Sequence, residues 1–111
     1  SKDKVNKAVI NIMDRYNEYG AEILLLSGRS NKFEEQTIAW LKEHSIPYNW
    51  LTMRKEGDDR KDSIIKKEFY DTTIKNLYNV LFVIDDRKQM KRLWVSEGLF
   101  VLDVNQFDEE F

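Results

Sequence analysis

Two adjacent carboxylates, Asp85-Asp86, end the most apolar run of the chain, Val80-Leu81-Phe82-Val83-Ile84. Like charges so placed repel unless something positive lies beside them, and a hard divalent cation such as Mg2+ takes one or two carboxylates with waters and substrate oxygens. The same residues also suit a helix start, with Asp86 capping a helix that begins near Arg87 and Asp85 pairing with a surface lysine. Ser27-Gly28-Arg29 follows another apolar run, Ile23-Leu24-Leu25-Leu26. A hydroxyl and a forked cation on either side of a glycine can hold a phosphate, and the trio equally suits a plain turn with a solvated arginine. In Arg54 to Lys67, basic and acidic residues interleave, and Lys66 lies four residues after Asp62, so the two project from one helical face and can pair. Charge-rich helix starts are also commonly just solvated faces.

These clusters need elements to position them. Val5, Val9, Ile12, Met13 and Tyr16 recur at spacings of three and four, which predicts a helix from about Lys4 to Tyr19, stopped by Gly20. The Ile23–Leu26 run reads as a strand buried on both faces, with Ser27 to Ser30 as the turn after it. Phe33 to His44 is a second helix, Tyr48 to Met53 a strand after Pro47, and Arg54 to Asp59 a polar loop. A third helix spans about Asp62 to Asn76, a strand Val80 to Ile84, a fourth helix Lys88 to Gly98 and a last strand Leu99 to Val104, before an acidic tail from Asn105 to Phe111. Strands alternating with helices predict an α/β domain with a mainly parallel sheet, whose ligand lies beyond the carboxyl ends of the strands. Trp40, Trp50 and Trp94 each fall in apolar patterns and read as core; His44 reads as a surface residue.

The 111 residues make one small domain, and 41% hydrophobic residues suffice for one core. Eighteen basic against twenty acidic side chains give a formal charge of −2, so no overall basic field exists for nonspecific nucleic-acid binding. The absence of cysteine and the single histidine exclude thiolate and multi-histidine zinc sites. No apolar run reaches the roughly 18 residues of a membrane span, and a cytoplasmic location is the expectation.

Taken in order, Leu24-Leu25-Leu26-Ser27-Gly28-Arg29, the Arg54 to Glu68 segment and Val83-Ile84-Asp85-Asp86-Arg87 resemble the haloacid dehalogenase superfamily, and within it the 3′-phosphatase domains of phage-type polynucleotide kinase-phosphatases. Trp94 and Gly98 also match that pattern. The resemblance implies a Rossmann-like three-layer domain and an Mg2+-dependent phosphomonoesterase acting through a phospho-aspartate on 3′-phosphorylated DNA or RNA ends or nucleotides, in a parent protein with a 5′-kinase domain. It implies that Ser27 hydrogen-bonds the phosphoryl group, that Arg29 and Arg54 contact substrate, and that Lys66 neutralises charge with Asp62 orienting it. Asp85 and Asp86 would bind the magnesium. The superfamily nucleophile belongs to an Asp-X-Asp motif on the first, central strand, and these 111 residues contain no Asp-X-Asp. The expectation is therefore that the strand carrying it precedes Ser1. The competing expectation is a catalytically incomplete module that grips phosphorylated nucleic-acid ends or a protein partner. A receiver-like domain is disfavoured by chain order, because Lys66 comes before the Asp pair.

Overall fold

The computed structural model describes residues 5–105, and the chain divides into two compact units, residues 1–59 and 60–111. In the first unit, α1 (Lys7–Glu18) leads to β1 (Leu24–Ser30), a 3-10 turn (Asn31–Phe33), α2 (Glu34–Glu43) and β2 (Trp50–Arg54). Asn6 sets the start of α1: its side chain accepts from the backbone N–H of Val9, satisfying one of the helix's orphan donors. Gly20, at φ 95°, ends it in the left-handed region where glycine carries no Cβ penalty. β1 and β2 pair in parallel, Leu24 opposite Trp50 through Ser27 opposite Met53.

The sequence pattern ends β1 at Leu26, whereas the strand continues to Ser30. The reason lies in the register: after Ser27 opposite Met53 the next pair is Ser30 opposite Arg54, so Gly28 and Arg29 bulge out of the ladder between them. Turn and strand readings both describe this segment, and such bulges re-aim side chains beside functional sites. β1 is also less covered than a parallel strand predicts, its apolar residues being only half-buried. Trp50, expected in the core, is 58% exposed and donates its Nε1–H to Glu22 at 3.0 Å. Trp40 is half-buried against the His44 ring, at 4.4 Å between centroids, and the two residues are further joined by a 2.9 Å contact between His44 Nδ1 and the Trp40 carbonyl. Among the described residues of this unit, Leu41 is the buried apolar one.

The second unit runs α3 (Asp62–Phe69), a π-helical turn (Tyr70–Ile74), α4 (Lys75–Leu77), β3 (Val83–Asp85), α5 (Lys88–Ser96) and β4 (Val101–Asp103). The helix predicted over Asp62 to Asn76 thus exists, but with a π turn inside it where Thr72 Oγ1 donates to the Glu68 carbonyl at 2.8 Å. The buried residues follow four-residue spacing: Tyr70 and Ile74 in the π turn and Met90 and Trp94 in α5 are all under 8% exposed, and Tyr70 stands edge-on to Trp94. β3 is shorter than the apolar run, starting at Val83, and pairs in parallel with β4, Val83 opposite Val101 through Asp85 opposite Asp103. The acidic tail beyond Asn105 lies outside the described residues.

At the end of β4 the Asp103 carboxylate accepts from the backbone N–H of Asn105 and lies 3.4 Å from Lys91 Nζ. The backbone donor first, and the ammonium after it, hold its pKa below the ordinary 3.8. Its stabilising contribution is therefore complete above that value and vanishes as pH falls through the lowered one. The urea midpoints of the wild type and Asp103→Asn are expected to differ slightly at neutral pH and to converge in acid. A gap that persists under strongly acid conditions would contradict this origin.

Candidate active site

In the first unit the Ser27-Gly28-Arg29 bulge is locked from two sides. The backbone N–H of Arg29 donates to Ser27 Oγ at 3.1 Å, a local hydroxyl turn, and the serine still carries its own proton to donate elsewhere. Arg54, the last residue of β2, donates Nε–H to the Gly28 carbonyl at 2.9 Å and Nη1–H to the Asp58 carbonyl at 2.9 Å. Arg54 thereby ties the bulge to the following loop and stands against the Ser27-Gly28-Arg29 turn. The Arg29 side chain is exposed.

In the second unit Asp62 opens α3 and Lys66 sits one turn on, so the pair meets at 3.0 Å with both side chains only 13% exposed. The same oxygen, Asp62 Oδ2, accepts from Arg87 Nη1 at 3.1 Å. One carboxylate oxygen therefore balances two cations. Arg87 begins the turn into α5, and its backbone N–H donates to Asp85 Oδ1 at 3.0 Å, which links the Lys66–Asp62 pair to the acidic end of β3. The other oxygen, Asp85 Oδ2, receives the indole N–H of Trp94 at 3.4 Å. Asp85 therefore pairs with a backbone amide and an indole where the alternative reading paired it with a surface lysine. Asp86 is exposed, and Arg87 holds the N-cap position of α5 without a side-chain cap bond.

Arg87 and Trp94 are the residues to which sequence reasoning gave no contact at the site. Arg87 stands in the quoted Asp85-Asp86-Arg87 run, so its position was legible while its reach to Asp62, 25 residues away, was not. Trp94 fits the apolar stripe of α5, and a stripe carries no sign that the indole N–H faces a carboxylate.

The arrangement suits hard-ion and phosphate chemistry. Each carboxylate oxygen of Asp85 has one donor on it, and a carboxylate offers about four lone-pair directions, so acceptor capacity remains. Two adjacent carboxylates meet the one or two that Mg2+ takes from a protein. Among the described residues no group of three or more acidic, histidine or cysteine side chains is placed to hold a metal, so the rest of such a shell is water and substrate oxygen or lies elsewhere.

A family model described as the polynucleotide kinase PNKP phosphatase domain matches residues 1–108. The chain belongs to that family. A protein of Autographa californica nuclear polyhedrosis virus, named as a bifunctional polynucleotide kinase/RNA ligase, is 35% identical over 79 residues, 70% of this chain and 11% of the viral protein. Among solved structures, a chain of the Pnkp1/Rnl/Hen1 RNA repair complex is 37% identical with a TM-score of 0.86 over 91% of this chain and 33% of its own length. A second structure of that complex gives the same identity and TM-score over 36% of its matching chain. This family member thus shares the α/β fold of part of the solved chains, and it spans about a tenth to a third of the length of the proteins it matches. No helix among its described residues is long and apolar enough to cross a membrane.

Proposed function

We propose that this phosphatase-family chain is the phosphate-handling part of a magnesium-dependent polynucleotide 3′-phosphatase that clears 3′-phosphorylated DNA or RNA ends or nucleotides. The observation that carries the reading is the double use of Asp62 Oδ2, which holds Lys66 and Arg87 beside Asp85. Phosphoryl transfer needs fixed positive charge and positioning, and an ammonium held by a carboxylate with little exposure supplies both. In this reading Ser27 donates its hydroxyl proton to a phosphoryl oxygen and Arg29 takes the substrate phosphate as a forked cation. Arg54 faces substrate from its anchored position on the Gly28 carbonyl. Lys66 neutralises charge on the transferring group, and Asp62 orients it. Asp85 and Asp86 hold Mg2+, which when bound supplies positive charge to the phosphoryl oxygens. Arg87 and Trp94 fix the Asp85 carboxylate.

The nucleophile is an aspartate outside the 111 residues, which lack Asp-X-Asp, and a 5′-kinase domain belongs to the same parent protein, in the cytoplasm. That same lack of Asp-X-Asp favours one alternative, a module that binds phosphorylated nucleic-acid ends, or a protein partner, without hydrolysis. Phosphate release by the native polypeptide carrying these residues separates the two, measured with Mg2+ on a 3′-phosphorylated oligonucleotide, its 5′-phosphorylated isomer and a sugar phosphate. Release confined to the 3′ end is the expected result; binding of the strand with no release favours the alternative, and release only from the sugar phosphate overturns both. Arg29→Ala is expected to raise KM for the 3′-phosphorylated strand by roughly 10-fold, the scale of one lost hydrogen bond to a charged group. An unchanged KM removes Arg29 from the substrate contacts.

A further inference from the structure

The segment that follows the Ser27–Arg29 bulge presents an aromatic ring among cations. Phe33 closes the 3-10 turn and is 38% exposed. The Arg29 guanidinium lies 5.5 Å from its ring centroid and the Lys32 ammonium 5.8 Å, both within the range at which a cation is drawn to a ring face. The ring is held in place from its backbone: Ser30 Oγ accepts from the Lys32 N–H at 3.1 Å, and Thr37 Oγ1 donates to the Phe33 carbonyl at 2.9 Å. A single exposed phenylalanine is ordinary on a protein surface. One held beside two exposed cations, one of them the proposed phosphate ligand, has the composition of a single-strand nucleic-acid platform, in which a base stacks on the ring while cations track the phosphates.

We propose that Phe33 is a stacking subsite for the nucleobase next to the phosphate held by Arg29, with Lys32 pairing a neighbouring phosphate of the same strand. The inference rests on the phosphate-binding reading of Arg29 and adds what that reading lacks, recognition of the base. Stacking is indifferent to base identity because every base offers a π face, so the subsite favours a nucleoside over a bare sugar without reading sequence. Phe33 carries no chemical step in this role; it sets which phosphomonoesters are held.

The test is fluorescence anisotropy of the folded protein with a 5′-labelled oligonucleotide in four forms: with a 3′-phosphate or a 3′-hydroxyl, each with a normal or an abasic terminal residue. The wild type is expected to bind the normal strand roughly 10-fold more tightly than the abasic one, the scale of one base–aromatic stack. Phe33→Ala is expected to erase that preference, and Phe33→Trp to keep it. Because Phe33 lies on the surface, circular dichroism of the alanine variant is expected to match the wild type, and the tryptophan variant guards against a folding artefact. A base preference that survives in Phe33→Ala overturns the inference, as does failure of the folded chain to bind any strand. Equal affinity for 3′-phosphate and 3′-hydroxyl strands is instead the signature of a failed phosphate reading, and it is read from a different pair of ligands.

Discussion

Asp62→Ala is expected to cost the protein stability and turnover together. In the wild type Asp62 Oδ2 receives Lys66 Nζ at 3.0 Å and Arg87 Nη1 at 3.1 Å, with Asp62 and Lys66 only 13% exposed. Removing the carboxylate leaves an ammonium with little water around it beside a guanidinium that now repels it. Breaking a well-buried pair from one side costs about 3–5 kcal/mol, and the partial exposure of Arg87, at 39%, brings the expected loss to about 2 kcal/mol. Lys66→Met should cost less, because it removes the charge that needs a partner. The double variant should then be more stable than the sum of the two single losses implies, a coupling readable by urea denaturation in a double-mutant cycle. Strict additivity would show that the pair contributes nothing beyond its parts. In the native polypeptide, 3′-phosphate release by Asp62→Ala is expected to fall by about 10²–10³, the scale of losing one preorganised electrostatic contact to a transition state. A normal rate with reduced stability would make Asp62 purely structural.

The spacing Asp62 to Lys66 was legible because a helix turns once in about four residues, and local arithmetic suffices to pair them. The Asp85-Asp86 ending of β3 was legible for a similar reason, since a buried strand that meets two acids has no local way to continue apolar. What sequence periodicity did not carry are the contacts between distant positions. Arg87 to Asp62, Trp94 to Asp85 and Arg54 to Gly28 join residues brought together by the packing of different elements. The bulge at Gly28-Arg29 was half legible: glycine signalled a break, while the resumption of pairing at Ser30 depends on β2. Trp50 was misread because an apolar pattern marks a strand without saying which of its faces is covered, and the residue stands 58% exposed. The motif resemblance pointed to the family that the comparison over residues 1–108 then established, and it did so through short segments whose side chains now form two clusters, one in each unit.

Trp94 joins the core of the second unit to its chemistry, and that makes it the second residue whose loss should be large. Its side chain is 4% exposed, its ring stands 5.8 Å from that of Tyr70, and its indole N–H donates to Asp85 Oδ2. Trp94→Ala removes a whole ring from a small core and is expected to cost about 4 kcal/mol, a large share of what a domain of this size possesses. Trp94→Phe keeps an aromatic body against Tyr70 and loses chiefly the donor, so about 1–2 kcal/mol is expected. The two substitutions therefore separate packing from hydrogen bonding, and a cycle with Asp85→Ala isolates the second part. In an Asp85→Ala background the carboxylate is gone, and Trp94→Phe should become nearly silent in urea denaturation apart from its packing difference. If Trp94→Phe costs the same with and without Asp85, the indole is a core residue only. If the cost shrinks, the ring that fills the core also holds Asp85, and a packing substitution alters the carboxylate proposed to bind magnesium.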